Sequence, residues 1–225
     1  MIFSVSVVGA VLILIGGRIY RIQAKGKLGE MRVRALLLAM GAKSLNDIVI
    51  KGKRGLTQID HVALTQSGLL VIETKNYSGD LYDNGRRRPW SQLLGRAQNT
   101  LHNPQDQNYG HRRAVMGVTG LGNDAVFDVV VLAGDARFSK GAPQGVIHLK
   151  GLRNTVRRLG GTRDIPSPYQ AAFDRLKAAV LDSKADRAAQ LRKVTGGGYR
   201  YWMQAHGGWI AAAGFGIFTA GIMPW

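Results

Sequence analysis

The chain has 225 residues and a formal net charge of +17, because 31 Lys and Arg outnumber 14 Asp and Glu. With 45% hydrophobic residues it can bury a sizeable core, which excludes wholesale disorder. The absence of Cys excludes a disulfide scaffold, a Cys-based zinc site and a thiol nucleophile. So strong a positive charge favours a polyanionic partner, either nucleic acid or an anionic membrane surface.

The N-terminal residues 2–17 form an uncharged, apolar run. A membrane span needs about 20 apolar residues. The residues up to Ile22 extend the run, and Arg18 and Arg21 can reach the lipid headgroups. A signal peptide would carry its cations before the run, whereas here they follow it. This order predicts an uncleaved transmembrane anchor at residues 1–23, with the chain that follows in the cytoplasm. A signal peptide and a buried core helix are the alternatives.

Residues 24–183 are predicted to form a mixed α/β domain, because helical and strand-like hydrophobic patterns alternate along them. The elements of its first half are a helix at 28–40, strands at 44–50, 57–65 and 68–75, a turn at 76–79 and a hairpin at 80–93. Those of its second half are a helix at 103–118, strands at 126–133 and 146–149, and helices at 152–159 and 168–193. The strand at 126–133 is apolar and β-branched, which is typical of a strand buried on both faces.

The C-terminal part is predicted to contain a basic helix end and Gly-rich linker at residues 184–208, followed by a second transmembrane segment at 209–225. Two Trp residues bracket that segment as interfacial aromatics do. Small residues recur every four positions along it, a pattern on which membrane helices pack in homo-oligomers. An apolar tail packed on the domain, or lying on the bilayer surface, is the alternative.

The chemistry concentrates in two strands joined by a tight turn at Gln66 and Ser67. Such a turn places Asp60 opposite Glu73, with Cβ atoms roughly 5 Å apart. Lys75 projects from the same face as Glu73, because strand side chains alternate. Two carboxylates this close favour a cation or a proton between them, and oxygen ligands favour Mg²⁺ or Mn²⁺ over zinc.

Simpler explanations exist for each of these residues. Asp60 would then be a surface residue, Glu73 and Lys75 part of an ion-pair cluster, and Glu30 an acid that suits the start of a helix. However, Glu73 follows the apolar run 69–72, which is expected to be buried. A carboxylate at the end of such a strand carries a desolvation cost, which favours a functional role.

A specific resemblance extends over about residues 27–120. The segments that carry it are Gly29-Glu30, Gln58-Ile59-Asp60-His61, residues 68–79 (GLLVIETKNYSG) and Asn103-Pro104 with Gln107. They are similar to the nuclease-related domain, NERD, a family of the PD-(D/E)xK nuclease superfamily. The resemblance implies an α/β fold with a nuclease-like core: a helix, a three-stranded antiparallel meander, a helix and a further strand. Here the core would be flanked by the apolar, predicted transmembrane helices.

The resemblance also implies roles for individual residues. The implied catalytic residues are Glu30, Asp60, Glu73 and Lys75. Asp60 and Glu73, completed by Glu30, would bind a divalent metal, Mg²⁺ or Mn²⁺. The implied substrate-binding residues are Gln58, Gln107 and His111. The last two are similar to a Gln-x-x-x-Tyr element that orients substrate, with His111 in place of the Tyr.

Cations cluster in the middle of the chain. Residues 136–163 contain seven cations and no acid, and Arg153 and Arg157 lie on one side of a predicted helix. Smaller clusters are Arg86–Arg88 and Arg112-Arg113. Phosphate contacts from such side chains do not depend on base sequence, so Arg153 and Arg157 are predicted to bind nucleic acid. Contact with anionic lipid is the alternative.

These features predict a membrane-anchored nuclease-like protein with a cytoplasmic central domain, which hydrolyses phosphodiester bonds of DNA, or of RNA, with Mg²⁺ or Mn²⁺. Its predicted partners are nucleic acid, with DNA favoured, the membrane and, through its transmembrane helices, further copies of itself. Two alternatives stay open. One is a non-catalytic nucleic-acid-binding module that keeps the nuclease fold, and the other is a membrane-associated scaffold.

Overall fold

A computed structural model describes residues 2–53, 55–181 and 184–195. The helices found there are α1 (Ile2–Ala39), α2 (Pro104–Thr119), α3 (Leu152–Arg158), α4 (Ser167–Ala178) and α5 (Lys184–Thr195). The strands are β1 (Ser44–Gly52), β2 (Gly55–Thr65), β3 (Gly68–Lys75), β4 (Asp80–Tyr82), β5 (Trp90–Leu94), β6 (Ala97–Leu101), β7 (Val126–Leu132), β8 (Arg137–Phe138) and β9 (Val146–His148). The predicted mixed α/β class is confirmed.

The chain divides into two compact units. One unit is Leu28–Arg187, which contains both β-sheets and every residue of the predicted catalytic set. The other unit consists of Met1–Lys27 and Ala188–Trp225, and its described residues are helical. The candidate active site therefore lies within the first unit.

The main sheet has five strands in the order β1-β2-β3-β7-β9. The first three form an antiparallel meander, since tight turns connect them. β7 lies parallel to β3, because the chain crosses through α2 before it returns to the sheet. A smaller sheet has the order β6-β5-β4-β8 and begins a few residues after β3 ends.

Helices cover both faces of the main sheet. On one face, Leu69 and Val71 of β3 pack in a cluster with Val115 of α2 and with residues of α4. On the other face, Leu70 and Ile72 pack with residues of α1 and α3. Alternate residues of a strand point to opposite faces, so a strand covered on both sides must be apolar throughout. This explains the uninterrupted apolar run that precedes the carboxylate of β3.

Several predicted elements differ from the observed ones. The helix expected at 168–193 is two helices, because the chain leaves α4 and the Leu181 amide donates to the Val49 carbonyl of β1, 2.8 Å away. The hairpin expected at 80–93 pairs Asp80 with Leu93 as a hairpin would, but a loop at 83–89 joins its strands. The polar strand β6 has no hydrophobic alternation that would predict it.

The transmembrane anchor expected at residues 1–23 is not supported, because no helix among the described residues is both long and apolar enough to cross a membrane. The residues that were predicted as an anchor form the first part of α1. The second expected span, at 209–225, and most of the linker at 184–208 lie outside the described residues.

His61 is a buried polar residue of β2, only 2% exposed. Its Nδ1 lies 2.8 Å from Asn46 Oδ1 on β1. Burial lowers the pKa of His61 from 6.5 to about 4, because the charged imidazolium would lose its hydration. The nearby Glu73 and Asp47 favour the charged form, but they do not outweigh burial. His61 is therefore a neutral residue of the folded core.

The fold is expected to lose stability on acidification through His61. The unfolded residue takes up a proton below about pH 6.5 and the folded residue only near 4, so the stabilisation present above pH 6.5 is lost between these values. Between pH 7 and 5 the loss is about 2 kcal/mol. Urea unfolding of wild type and His61→Gln at both pH values measures it, and an equal loss in the two proteins would contradict the assignment.

Candidate active site

Asp60 lies where the hydrogen-bonded ladders on both sides of β2 are interrupted. The ladder to β3 has the predicted register but ends at the pair His61 and Ile72, one residue short of Asp60. In the ladder to β1, the pairs pass from His61 to Ile59 without Asp60. The Thr74 amide donates instead to Asp60 Oδ2 over 2.8 Å. The carboxylate thus takes the place of a strand carbonyl and is held against the end of β3.

A change of face in β2 accompanies this interruption. Ile59 and Val62 pack in the same core cluster although they are three positions apart, which places them on opposite faces of a regular strand. Asp47, the β1 residue opposite the interruption, has a φ of 52°. This left-handed conformation is uncommon in residues other than Gly. Distorted backbone in two neighbouring strands therefore aims Asp60 toward β3.

Glu73 is the most buried acid of the site, with 1% of its side chain exposed. Its Oε1 lies 2.6 Å from Lys75 Nζ, and its Oε2 lies 3.2 Å from His111 Nδ1. Lys75 Nζ also donates to Gln107 Oε1 over 3.1 Å. Each oxygen of the buried carboxylate thus faces a nitrogen, and Lys75 bridges β3 to α2.

The start of α2 determines where Gln107 and His111 lie. Asn103 caps the helix, with its Oδ1 accepting from the Gln105 amide at 2.9 Å, and Pro104 occupies the first turn. Both residue types favour a helix start at this point. Four residues apart, Gln107 and His111 then lie on one side of the helix. That side faces the β3 residues Glu73 and Lys75. The four-residue spacing of Gln107 and His111 therefore brings both side chains to the site.

Glu30 reaches the site because α1 crosses the strand ends closely. A Cβ placed on Gly29 would lie 3.1 Å from the Asn76 Cβ and 3.3 Å from the Ala133 Cβ, which leaves little room for any side chain. Arg32 also donates to the Ala133 carbonyl over 3.1 Å. With the helix held at this distance, the Glu30 charge adds to the larger effects of burial and Glu73 in raising the pKa of Asp60.

Two contributors escaped the sequence reasoning. The Thr74 amide is a backbone group, and no side-chain pattern reveals it. Tyr77 follows β3, and its charge interactions with Lys75 and Glu73 place it beside the site; burial raises the pKa of its hydroxyl. The close approach of Gly134 to the Tyr77 carbonyl, which leaves no space for a Cβ, brings the chain after β7 against this turn. Tyr77 belongs to the quoted resemblance but carried no assigned role.

The protonation states of the two central carboxylates diverge. Burial, and then the charge of Glu73, raise the pKa of Asp60 well above its usual value, against the opposing effects of the Thr74 amide and Lys75. Burial also acts to raise the pKa of Glu73, but His111 and Lys75 outweigh it and the pKa is lowered. Glu73 in turn raises the pKa of Lys75 despite burial. The site therefore contains an ionised Glu73–Lys75 pair beside an Asp60 that gives up its proton less readily than an ordinary Asp.

The donor chemistry suits a hard divalent cation, but the ligand geometry is incomplete. Among the described residues, no group of three His, Cys, Asp or Glu side chains is close enough to hold a metal ion. Glu73 instead contacts Lys75 and His111. Nevertheless the negative charges of Glu73 and Glu30 add to burial, the largest cause, in raising the pKa of Asp60. Added positive charge relieves such crowding, and carboxylate oxygens are the ligands that Mg²⁺ and Mn²⁺ prefer.

The other predicted substrate contacts lie apart from this cluster. Gln58 is exposed and its Nε2 donates to Asp47 Oδ1 over 2.6 Å. Arg153 and Arg157 are exposed on α3, which packs on the face of the sheet opposite to α2. The fold brings the predicted catalytic residues together with Gln107 and His111. Among the contacts described, none joins Gln58, Arg153 or Arg157 to this cluster. Their roles in substrate binding stay predictions.

Comparison with known proteins gives a family match over the same region. Residues 25–133 match the family described as nuclease-related domain. An uncharacterized protein of Bacillus anthracis is 37% identical over 95 residues, which cover 40% of this chain and 45% of that protein. The match thus spans less than half the length of that relative. A crystal structure of a protein of unknown function is 15% identical, with a TM-score of 0.31 over 86% of this chain and 94% of the other.

The raised pKa of Asp60 makes a testable prediction without metal. A folded carboxyl with a raised pKa stabilises the fold at low pH and loses that contribution as the pH rises through its folded pKa. In the presence of a chelator, Asp60→Asn should therefore gain stability relative to wild type as the pH rises from about 4 to 8. Urea unfolding measures the difference. Asp174→Asn, at an exposed acid of α4, is the matched control, and a gain that does not change with pH would contradict the assignment.

Proposed function

Because residues 25–133 match the nuclease-related domain family, we propose that this chain hydrolyses phosphodiester bonds of nucleic acid, DNA or RNA, with the help of a divalent metal. The observation that carries the proposal is the buried Glu73–Lys75 pair, 2.6 Å apart, with Asp60 held beside it by a backbone donor. A buried ion pair contributes little net stability, because desolvation offsets its attraction. Its presence at the end of an apolar strand is better explained by chemistry.

Asp60 and Glu73, with Glu30 beside them, are the residues that would hold Mg²⁺ or Mn²⁺. A bound divalent ion supplies positive charge to a phosphoryl oxygen and lowers the pKa of a bound water. Lys75 has a raised pKa, so it is an ammonium at neutral pH. We infer that it donates hydrogen bonds to the phosphate and stabilises the negative charge that develops there, rather than removing a proton from water.

Gln107 and His111 act as positioning residues in this proposal. Gln107 accepts a hydrogen bond from Lys75 Nζ and so limits the rotamers of a long, flexible side chain. His111 contacts the Glu73 oxygen that Lys75 does not. Both side chains are carried by one face of α2, so a single helix adjusts the ammonium and the carboxylate together. Their contact with substrate itself stays a prediction.

A non-catalytic nucleic-acid-binding module is the second candidate. It is favoured by the ion pair of Glu73 Oε1 with Lys75 and by the missing three-residue ligand group in the described part of the chain. Such a module would keep the basic surface and bind nucleic acid without cutting it. A membrane-associated scaffold has less to support it, since it leaves the buried charges without a role.

The membrane localisation is likewise a proposal, and the sequence alone supports it. Both ends of the chain are apolar, and cations follow the first run and precede the second. We expect the full chain to stay in the membrane fraction of its host after a high-salt wash and an alkaline carbonate wash, which release peripheral proteins. Recovery of the chain in the supernatant after either wash would contradict a transmembrane anchor.

The nuclease proposal predicts metal-dependent cleavage that requires both central carboxylates. Asp60→Asn and Glu73→Gln should each lower the rate of Mg²⁺- or Mn²⁺-dependent cleavage by roughly a hundredfold or more. Even mutation of a residue that only hydrogen-bonds to a metal ligand lowers metal affinity or activity about 10- to 100-fold. Lys75→Met should lower the rate while metal binding persists. Gel assays on single- and double-stranded DNA and RNA measure the rates.

Asp174→Asn, which makes the same chemical change at an exposed acid on α4, is the control and should cleave like wild type. Two results would contradict the proposal. One is the absence of cleavage of every substrate with either metal. The other is cleavage that survives Asp60→Asn and Glu73→Gln, because it would then come from a contaminating enzyme.

A further inference from the structure

The loop between β4 and β5 carries three consecutive arginines, Arg86–Arg88, which we call the arginine loop. All three are exposed, and no carboxylate forms an ion pair with them in the described part of the chain. The nearest acid in sequence, Asp83, accepts a hydrogen bond from the Gly85 amide at 3.0 Å. From Asn84 to Gln105 the chain contains no acid at all. The loop therefore presents uncompensated positive charge.

Hydrogen bonds hold the arginine loop in one conformation. Asn84 Nδ2 donates to the Pro89 carbonyl over 2.7 Å and to Ser91 Oγ over 3.0 Å, which closes the loop at its base. Within the loop, the Arg88 amide donates to the Gly85 carbonyl. Arg87 has a φ of 61°, a left-handed conformation that is uncommon in residues other than Gly. Such strain persists where the surroundings fix it, and it occurs often at binding sites.

A direct hydrogen bond ties the arginine loop to the helix that serves the candidate site. Asn103 Nδ2 donates to the Arg88 carbonyl over 3.2 Å. The same residue caps α2, and Gln107, one turn further along, contacts Lys75. One helical turn is about 5.4 Å. The arginine loop thus lies at the N-terminal end of α2, at the end of the helix from which Gln107 reaches Lys75.

The arginines of α3 occupy a different place. Leu152 and Val156 bury α3 against the cluster formed with α1, on the face of the sheet opposite to α2. Arg153, Arg157 and Arg158 project from the exposed side of that helix. No hydrogen bond among those described for these three side chains leads to α2 or to Lys75. Of the arginine loop and the α3 arginines, the arginine loop is the one joined to the site through named contacts.

We propose that Arg86–Arg88 bind the phosphodiester backbone of the nucleic acid whose reacting phosphate lies at Lys75, an inference that rests on the proposed nuclease-related function. Three residues span at most about 10 Å, and a strand carries one phosphate per roughly 3.4 Å of helix axis. The arginine loop therefore fits two or three phosphates. Arginine suits this role because its planar guanidinium can donate two parallel hydrogen bonds to one phosphate. Contacts of this kind orient a strand without reading its sequence.

The salt dependence of binding tests the proposal, because each lost phosphate contact lowers its steepness by about 0.9 in log Kd per log salt on duplex and about 0.7 on a single strand. The full chain is titrated with a fluorescent oligonucleotide in a chelator, so that no cleavage occurs. Arg86→Gln/Arg87→Gln/Arg88→Gln is expected to lower the slope by about 2 and to weaken binding at least about tenfold near 0.1 M salt. Arg153→Gln/Arg157→Gln/Arg158→Gln removes the same charge from α3 and should leave the slope near that of wild type.

Two further variants separate charge from folding. Arg86→Lys/Arg87→Lys/Arg88→Lys keeps the charge and should keep most of the slope, and the single variant Arg86→Gln should lower it by about one contact. A slope that falls in the α3 variant and not in the loop variant would overturn the proposal. Equal slopes in all variants, or no binding of nucleic acid by wild type at low salt, would overturn it as well.

The same proteins are tested for binding to vesicles that contain phosphatidylserine. A loop variant that loses only vesicle binding would overturn the proposal in favour of a lipid surface. Catalysis is judged separately, since the titration needs no metal. A chain that binds through the arginine loop but cuts nothing supports this inference while it removes the nuclease proposal. A chain that cuts and binds without help from the loop does the reverse.

Discussion

The ion pair between Glu73 and Lys75 is the interaction on which the rest of the site depends. Its 2.6 Å contact lies at the end of a strand whose preceding residues are all buried. The Glu73 side chain is only 1% exposed and that of Lys75 21%, so water does little to compensate the charge of Glu73. The fold supplies the compensation through α2, which brings His111 to the carboxylate and Gln107 to the ammonium. Removing one partner of a buried pair leaves an unpaired charge. The ion pair therefore needs the side chains of α2 over β3, just as the hydrophobic core does.

Asp60 enters this arrangement through a local failure of regular structure. Both ladders of β2 are interrupted there, Asp47 opposite it adopts a left-handed conformation, and the strand changes face. A regular sheet would give the carboxylate no backbone donor on β3, whereas the distorted one gives it the Thr74 amide. Burial then favours protonated Asp60 while Glu73 stays ionised. Because Glu73 is the carboxylate that stays ionised, a bound cation would favour ionisation of Asp60 as the second carboxylate ligand.

The parts of this site that local geometry determines could be predicted from the sequence. A tight turn at Gln66 and Ser67 set the register of β2 and β3, and strand alternation placed Glu73 and Lys75 together. The features that tertiary packing determines could not be predicted in this way. The contact of His111 with Glu73 requires the position of α2 across the sheet, the Thr74 donor requires the distortion at Asp60, and the link from Arg88 to Asn103 joins a loop to a distant helix cap. None of these has a periodic signal.

The central claim is that Asp60 and Glu73 form one carboxylate site that takes up a divalent cation. Calorimetric titration of the full chain with Mn²⁺, in buffers of different ionisation enthalpy, counts both the bound ions and the protons released. Wild type should bind Mn²⁺ at this site and release a proton at a pH below the raised pKa of Asp60, because Asp60 must ionise when the metal binds. Asp60→Asn should lose that binding and that proton. Binding of Mn²⁺ that is unchanged in Asp60→Asn, or no binding by wild type, would contradict the claim.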